Sequence, residues 1–276
     1  MKPTPSSFGE QNGLQAQVSY TWSKTITNAD SLLPNGGFDE VGVQNVFNLH
    51  REKSISVQDI PSNFVVSWLY QLPFGKNQRF LNHGFVSYLA GGWRIGGVQR
   101  YMSGQPISFL GASGIPGYGG TMRFSRYGKN PIESPAAKSG KVNPFFVPKY
   151  GSDPAINSMF NLPTDRAAAI GEPDNAAFID NNLPQYRNGG PYTFGTMPRV
   201  EGEYRMPAYL HEDFSLIKTF PIRESMTLQL KVEALNAFNR HAFALPGLSP
   251  NGETFGIPTG TLDAPRNLQL TGRFNF

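Results

Sequence analysis

The stretch RNLQLTGRFNF, residues 266–276, alternates almost without fault. Leu268, Leu270, Gly272, Phe274 and Phe276 fall on one side of an extended backbone. Gln269, Thr271, Arg273 and Asn275 fall on the other. Successive side chains of a strand point to opposite faces, so this period reads as a strand with one apolar and one polar face.

The same period recurs upstream. In LQAQVSYTWSK, Leu14, Ala16, Val18, Tyr20 and Trp22 oppose Gln15, Gln17, Ser19, Thr21 and Ser23. In NFVVSWLYQLP, Phe64, Val66, Trp68, Tyr70 and Leu72 oppose Val65, Ser67, Leu69 and Gln71. GGWRIGGVQRYMSGQP sets Trp93, Ile95, Gly97 and Tyr101 against Arg94, Gly96, Arg100 and Met102, and Val98 and Gln99 blur it. LHEDFSLIKTF and SMTLQLKVEALNAFN alternate in the same way. Each run is about 10 residues long, the length a tilted strand needs to cross a bilayer and longer than the usual globular strand. Six such runs with one polar face predict an all-β, antiparallel, up-and-down transmembrane barrel architecture, with six strands and up to eight in this chain. Rings near run ends, such as Trp22, Trp93, Phe274 and Phe276, suit the aromatic girdles at headgroup level. Most of the aromatic side chains are expected to serve as girdle or lipid-facing rings.

Composition agrees. Hydrophobic residues make up 39% of the 276, too few for a well-filled soluble core of this size, while a barrel interior is polar. The chain holds 30 Gly and 23 Pro, which favours strands and irregular loops over helices. The net charge of +4 is scattered and forms no basic stripe, so a nucleic-acid partner is not expected. With no Cys, disulfides and thiol chemistry are excluded. No apolar run is long enough for a spanning helix, and the first residues, MKPTPSSFGEQNGLQ, carry no signal-peptide core.

The connections alternate in length. PIRES (221–225) is short and PFGKNQRFLNHG (73–84) is a moderate turn, whereas 25–62, 105–208 and 240–264 are long. Short turns facing the periplasm and long loops facing outward are the barrel rule. Within 105–208, TMRFSRYG is a candidate extra hairpin.

A search for chemistry finds no catalytic, cofactor or metal site. His50, His83, His211 and His241 lie far apart in sequence and pair with no nucleophile pattern. His211, Glu212 and Asp213 adjoin, yet strand neighbours face opposite ways and cannot all ligate one ion. Asp174, Asn175, Asp180, Asn181 and Asn182 offer oxygen ligands at a spacing that matches no calcium motif. GYGGTMR fits neither phosphate-binding glycine motif and reads as a Gly-rich loop. The informative residues are the polar faces: Gln15, Gln17, Gln229, Lys231, Glu233, Gln269, Arg273 and Asn275 are expected to face the lumen. Lys231, Glu233 and Arg273 are expected to form a cross-strand charge ladder. Lys218 falls on the apolar parity near the periplasmic edge, where its stem is expected to snorkel.

YTWSK (20–24), DIPSNFVVSWLYQLPFGK (59–76), GGWRIGGVQRYMSGQP (91–106), EDFSLIKTF (212–220), LQLKVEALNAFN (228–239) and PRNLQLTGRFNF (265–276) together resemble the C-terminal barrel segments of TonB-dependent outer-membrane receptors, of the carboxypeptidase-regulatory-like type common in acidobacteria. The resemblance implies a 22-stranded barrel with an N-terminal plug, importing a bulky nutrient with energy relayed from the inner membrane. It also implies that Leu268, Leu270, Phe274 and Phe276 form the signal read by the barrel-assembly machinery. The expected partners are outer-membrane lipid, that machinery, further barrel strands and a plug, with the TonB complex reached only through the plug. The chain offers no signal peptide, plug or TonB-contacting box, so it is expected to be the C-terminal portion of such a protein in the outer membrane. Two other readings stand beside this one: a soluble or secreted β-rich carbohydrate-binding module, and a non-functional truncated gene product.

Overall fold

The computed structural model describes residues 13–30, 43–76, 78–109, 111, 114–115, 122–133, 158–169, 171, 176–182, 193–223, 226–258 and 260–276. Six long strands dominate: β1 (Leu14–Trp22), β2 (Ser62–Gln71), β3 (Trp93–Met102), β4 (Tyr209–Arg223), β5 (Met226–Leu235) and β6 (Asn267–Asn275). They pair in chain order into one sheet, and every pairing is antiparallel. All six alternating runs thus became strands, and the described residues hold six long strands. The protein is all-β, and no described helix is long and apolar enough to cross a membrane. No pairing joins β1 to β6 among the described residues, so the sheet is open.

The register carries the two faces across the sheet. Gln17 lies opposite Ser67, Ser67 opposite Val98, and Val98 opposite Asp213. Ser215 lies opposite Glu233, and Glu233 opposite Gln269. On the other face Val18 meets Val66, and Leu216 meets Val232, which meets Leu270. A slip of one residue anywhere would mix the faces, so the alternation itself fixes the pairing.

The two ends of the sheet differ. At one end lie the β4–β5 turn, the β2–β3 connection and the end of β6. There β4 runs further than expected: Pro221, Ile222 and Arg223 of PIRES extend it, with a register shift between Pro221 and Arg223. Pro donates no ladder hydrogen bond, and an irregularity is where a strand tolerates it. The β2–β3 connection contains a short helix, α1 (Gly84–Ala90), which the periodicity did not announce. The chain re-enters β3 through Gly92, whose φ is +70°. A Cβ there would lie 2.4 Å from the Thr219 carbonyl oxygen, so only glycine fits.

At the other end the long connections 23–61, 103–208 and 236–266 meet. Their described parts fold on one another as a cap. Small ladders pair Ile26–Thr27 with Ser54–Ile55, and Pro106–Ile107 with Glu201–Arg205. TMRFSRYG forms no hairpin of its own: Ser125–Arg126 pairs with Phe178–Ile179. A second short helix, α2, spans Thr164–Ala169. The cap has its own apolar core, in which Phe109, Phe124, Phe160, Phe178 and Phe255 interlock with Ile107, Ile132, Leu162 and Leu248. Phe109 meets Phe178 at 4.9 Å and Phe160 at 5.1 Å between ring centroids, both edge-on, the geometry that ring quadrupoles favour. These five rings are therefore core, not girdle or lipid-facing, and depart from what was expected of most aromatic side chains. Each buried Phe contributes roughly 1.5–3 kcal/mol of transfer free energy.

Candidate functional site

The polar face of the sheet forms an open trough of about 570 Å³. Gln15, Gln17, Ser67, Asp213, Ser215, Lys231 and Glu233 line it, with Leu69, Val98 and Leu235 among them. Gly96 and Gly97 leave room at its centre. A second hollow of about 310 Å³ lies toward the short-turn end, around Gln15, Gln71, Arg94 and Thr219. Arg94 Nη2 donates to Thr219 Oγ1 at 3.5 Å. Amides, hydroxyls and partly exposed charges make this a surface for water or a polar partner.

Of the eight residues expected to face the lumen, Gln229, Lys231, Glu233, Gln269 and Arg273 share this face by register, as do Gln15, Gln17 and Asn275. Lys231 and Glu233 line the trough itself. The expected cross-strand ladder did not form. Lys231 Nζ reaches Glu233 Oε1 at 2.6 Å along its own strand. Arg273 lies opposite Gln229, Glu233 opposite Gln269 and Lys231 opposite Thr271, so the register puts an amide or a hydroxyl across from each charge. Nearer the cap, His211 Nε2 sits 3.0 Å from Asp213 Oδ1, and the imidazole stacks on Tyr209 at 5.7 Å. Glu212 points to the opposite face, as strand geometry requires. Among the described residues no cluster of three His, Asp or Glu could hold a metal ion.

Gln99, Glu212 and Lys218 break the apolar face, and each is satisfied locally. Trp68 Nε1 donates to Gln99 Oε1 at 3.1 Å. Glu212 is fully buried, and Arg240 Nε donates to both its carboxylate oxygens at 3.0 and 2.9 Å. Lys218 does not snorkel. Its ammonium is buried beneath α1 and donates to the carbonyls of Tyr88 (3.0 Å), Leu89 (2.8 Å) and Gly91. The last carbonyls of a helix lack intrahelical partners, and a cation at that end satisfies them. The cost of burying the charge is offset there, so the stem has no reason to reach for the interface.

The cap is tied together by arginines. Arg123 pairs with Glu52, Arg199 with Asp30, and Arg205 Nη2 donates to Asp59 Oδ2 at 2.6 Å. Each joins the β1–β2 connection to the β3–β4 connection. The carboxylates are all nearly inaccessible, and they also accept backbone N–H groups: Thr25 N donates to Asp59 Oδ1 at 2.6 Å, and Val57 N to Asp30 Oδ2 at 3.3 Å. Burial pushes the Arg123 guanidinium below its ordinary value, and Glu52 opposes that shift. Gln44 bridges the same connections, accepting from Arg123 N at 2.8 Å and donating to the Gly195 carbonyl at 3.0 Å. No signal in the sequence marks these partners, which stand 71 to 169 residues apart.

Of the five oxygen-bearing residues, Asp180, Asn181 and Asn182 make hydrogen bonds within the cap. Asp180 Oδ1 accepts from Asn182 N at 2.9 Å, and Asn181 Nδ2 donates to Ser125 Oγ at 2.6 Å. Asp174 and Asn175 lie outside the described residues, as do residues 117–121 of GYGGTMR. Met122 and Arg123, its last two, are buried in the cap rather than part of a loose loop. Leu268, Leu270, Phe274 and Phe276 project from one face of edge strand β6, with Phe274 and Phe276 stacked at 6.3 Å.

No curated protein and no solved structure matches the chain. A family model does, and its match covers residues 9–269, which takes in β1 to β5 and the whole cap. The two-faced antiparallel sheet and that match place the protein in the outer membrane, and the chain belongs to the outer membrane beta barrel domain family.

Proposed function

We propose that this chain is one arc of the wall, with the outward cap, of a TonB-dependent transporter that takes up a bulky nutrient and catalyses no reaction. The observation that carries the reading is the open sheet. Its strands are of spanning length, its polar face lines a trough, and the outer sides of its edge strands β1 and β6 carry no further strand among the described residues. Single-chain barrels start at about eight strands, so six call for further strands on both edges. The motif resemblance given above supplies the larger barrel and its plug. The plug would dock on the polar face at Gln229, Lys231, Glu233, Gln269 and Arg273. Leu268, Leu270, Phe274 and Phe276 would direct β6 to the barrel-assembly machinery. The TonB complex would act through the plug.

The test is uptake. Cells lacking the gene are compared with parent cells on a panel of oligosaccharides, peptides and metal chelates, with and without a protonophore. Loss of an energy-dependent uptake, restored by the gene, is the expected result. Unchanged uptake across the panel, with the protein inserted in the outer membrane, would refute transport.

A further inference from the structure

We propose that α1 is a lipid-docking helix, lying in the headgroup layer of the periplasmic leaflet and continuing the lipid-facing surface of the sheet. Its sequence, GFVSYLA, carries no charge, and Phe85 is 74% exposed, with Val86, Tyr88 and Leu89 also turned outward. Phe80 and Ile222, at the same end of the sheet, are exposed too. Such a patch in a membrane protein needs an apolar partner.

The partner follows from where the helix sits. It packs against the end of the apolar face of the sheet, not the polar one. Tyr88 meets Phe220 at 6.0 Å, and Trp93 Nε1 donates to the Leu89 carbonyl at 3.1 Å. Phe220 and Trp93 share their face with Leu216 and Ile95, the side chains that meet the bilayer. The helix is thus continuous with the lipid surface of an outer-membrane sheet, at the end where the short turns lie. Charge agrees. Lys76, Arg79 and Arg223 are exposed at this end and suit lipid phosphates. An interfacial helix buries its apolar side about 5–10 Å into the boundary of headgroups and acyl chains.

Lys218 makes the docking rigid. A helix of seven residues does not persist alone in water. Three carbonyls at its C-terminal end are held by one ammonium that also lies 4.8 Å over the Phe220 ring. The clamp aims the exposed side of α1 away from the sheet and toward lipid.

The chain has no Cys, so a single introduced thiol can be labelled cleanly. Phe85→Cys, Leu230→Cys and Lys129→Cys are each labelled with an environment-sensitive fluorophore in outer membranes carrying the protein. Quenching is compared for lipids bearing a shallow nitroxide, lipids bearing a deep nitroxide, and aqueous iodide. Position 85 should respond chiefly to the shallow nitroxide, position 230 to the deep one, and position 129 to iodide. Lys218→Met should shift position 85 from nitroxide to iodide quenching and leave position 230 unchanged. The proposal is overturned if position 85 follows position 129. It is also overturned if position 85 is shielded from all three quenchers, because a protein would then cover α1. If position 230 itself responds to iodide, the membrane placement of the sheet fails and the proposal falls with it.

Discussion

The sheet and the cap use one chain for opposite purposes. In the sheet the large apolar side chains point out: Trp22 is 71% exposed, Leu268 67% and Leu270 79%. In the cap they point in, with Phe178 and Phe255 fully buried. Charges follow the same inversion. The sheet keeps Lys231 and Glu233 at the edge of a wet trough, whereas the cap seals Glu52, Asp30 and Asp59 against arginines. The difference is one of solvent. A strand in a bilayer satisfies its backbone through its neighbours and leaves its apolar side chains to lipid. Loops beyond the bilayer meet water, and they hold a shape only by making a core or by pairing buried polar groups.

The comparison breaks first at the cap core. Phe178→Ala should destabilise the cap by about 3–5 kcal/mol, because the interlocked rings cannot collapse into the space left. Glu52→Ala should cost a similar amount, about 3–5 kcal/mol, by stranding the buried Arg123 cation. Protease cleavage within 103–208 during a urea titration measures both. The migration of the folded barrel without heating should stay as in the parent, since neither side chain touches the sheet's ladders. Loss of both together would show that cap and wall fold as one unit.

The sheet is tested by neighbours that face opposite ways. Leu230→Arg should destabilise the inserted sheet by roughly 2–4 kcal/mol, and Gln229→Arg far less, because only Leu230 faces the acyl chains. Urea unfolding in lipid vesicles gives the two values, and equal losses would overturn the face assignment.

These two regions were unequally legible. Alternation is a local property, so ten consecutive residues reveal a strand and its faces, and all six long strands could be read that way. Even the blur at Val98 and Gln99 has a tertiary cause: Gln99 sits on the apolar face because Trp68 offers it an indole N–H. Glu212 and Lys218 break parity for the same kind of reason, through Arg240 and the carbonyls of α1. Helix α1 is too short to show a helical period. The cap was not legible at all. Its five rings come from positions between 109 and 255 with no common spacing, and its ion pairs join residues that only the finished fold brings together. On the polar face, parity placed Lys231, Glu233 and Arg273 together, but only the register shows that Arg273 meets Gln229.

A smaller effect separates buried from exposed carboxylates by pH. Glu201, in the cap ladder, is nearly inaccessible, and burial raises its carboxyl above the ordinary value of 4.5, with Arg126 pulling it back. A carboxyl raised in the folded state holds its proton more tightly folded than unfolded. The contribution of Glu201 to cap stability is therefore complete below pH 4.5 and is lost as pH rises from there through the folded value. Glu201→Gln should stabilise the cap at neutral pH, and the gain should vanish below pH 4.5. A gain independent of pH would mean that shape, not charge, was relieved.

The least effect is expected where chemistry is the same as in the cap and only burial differs. Lys231 and Glu233 lie 2.6 Å apart, closer than many ion pairs, yet their side chains remain 33% and 25% exposed. Water screens such a pair, and fixing two long side chains costs entropy, so its net value is roughly 0.2–1 kcal/mol. Glu233→Gln should therefore change unfolding in lipid vesicles by no more than that. The residual effect should shrink with added salt, because exposed charges are screened. Glu52→Gln, measured under the same conditions, should lose several times more and show little response to salt. If the two substitutions cost the same, the trough is as dry as the cap. The polar face would then be sealed against another part of the protein rather than open to water, and its amides and charges would have to be read as an interface.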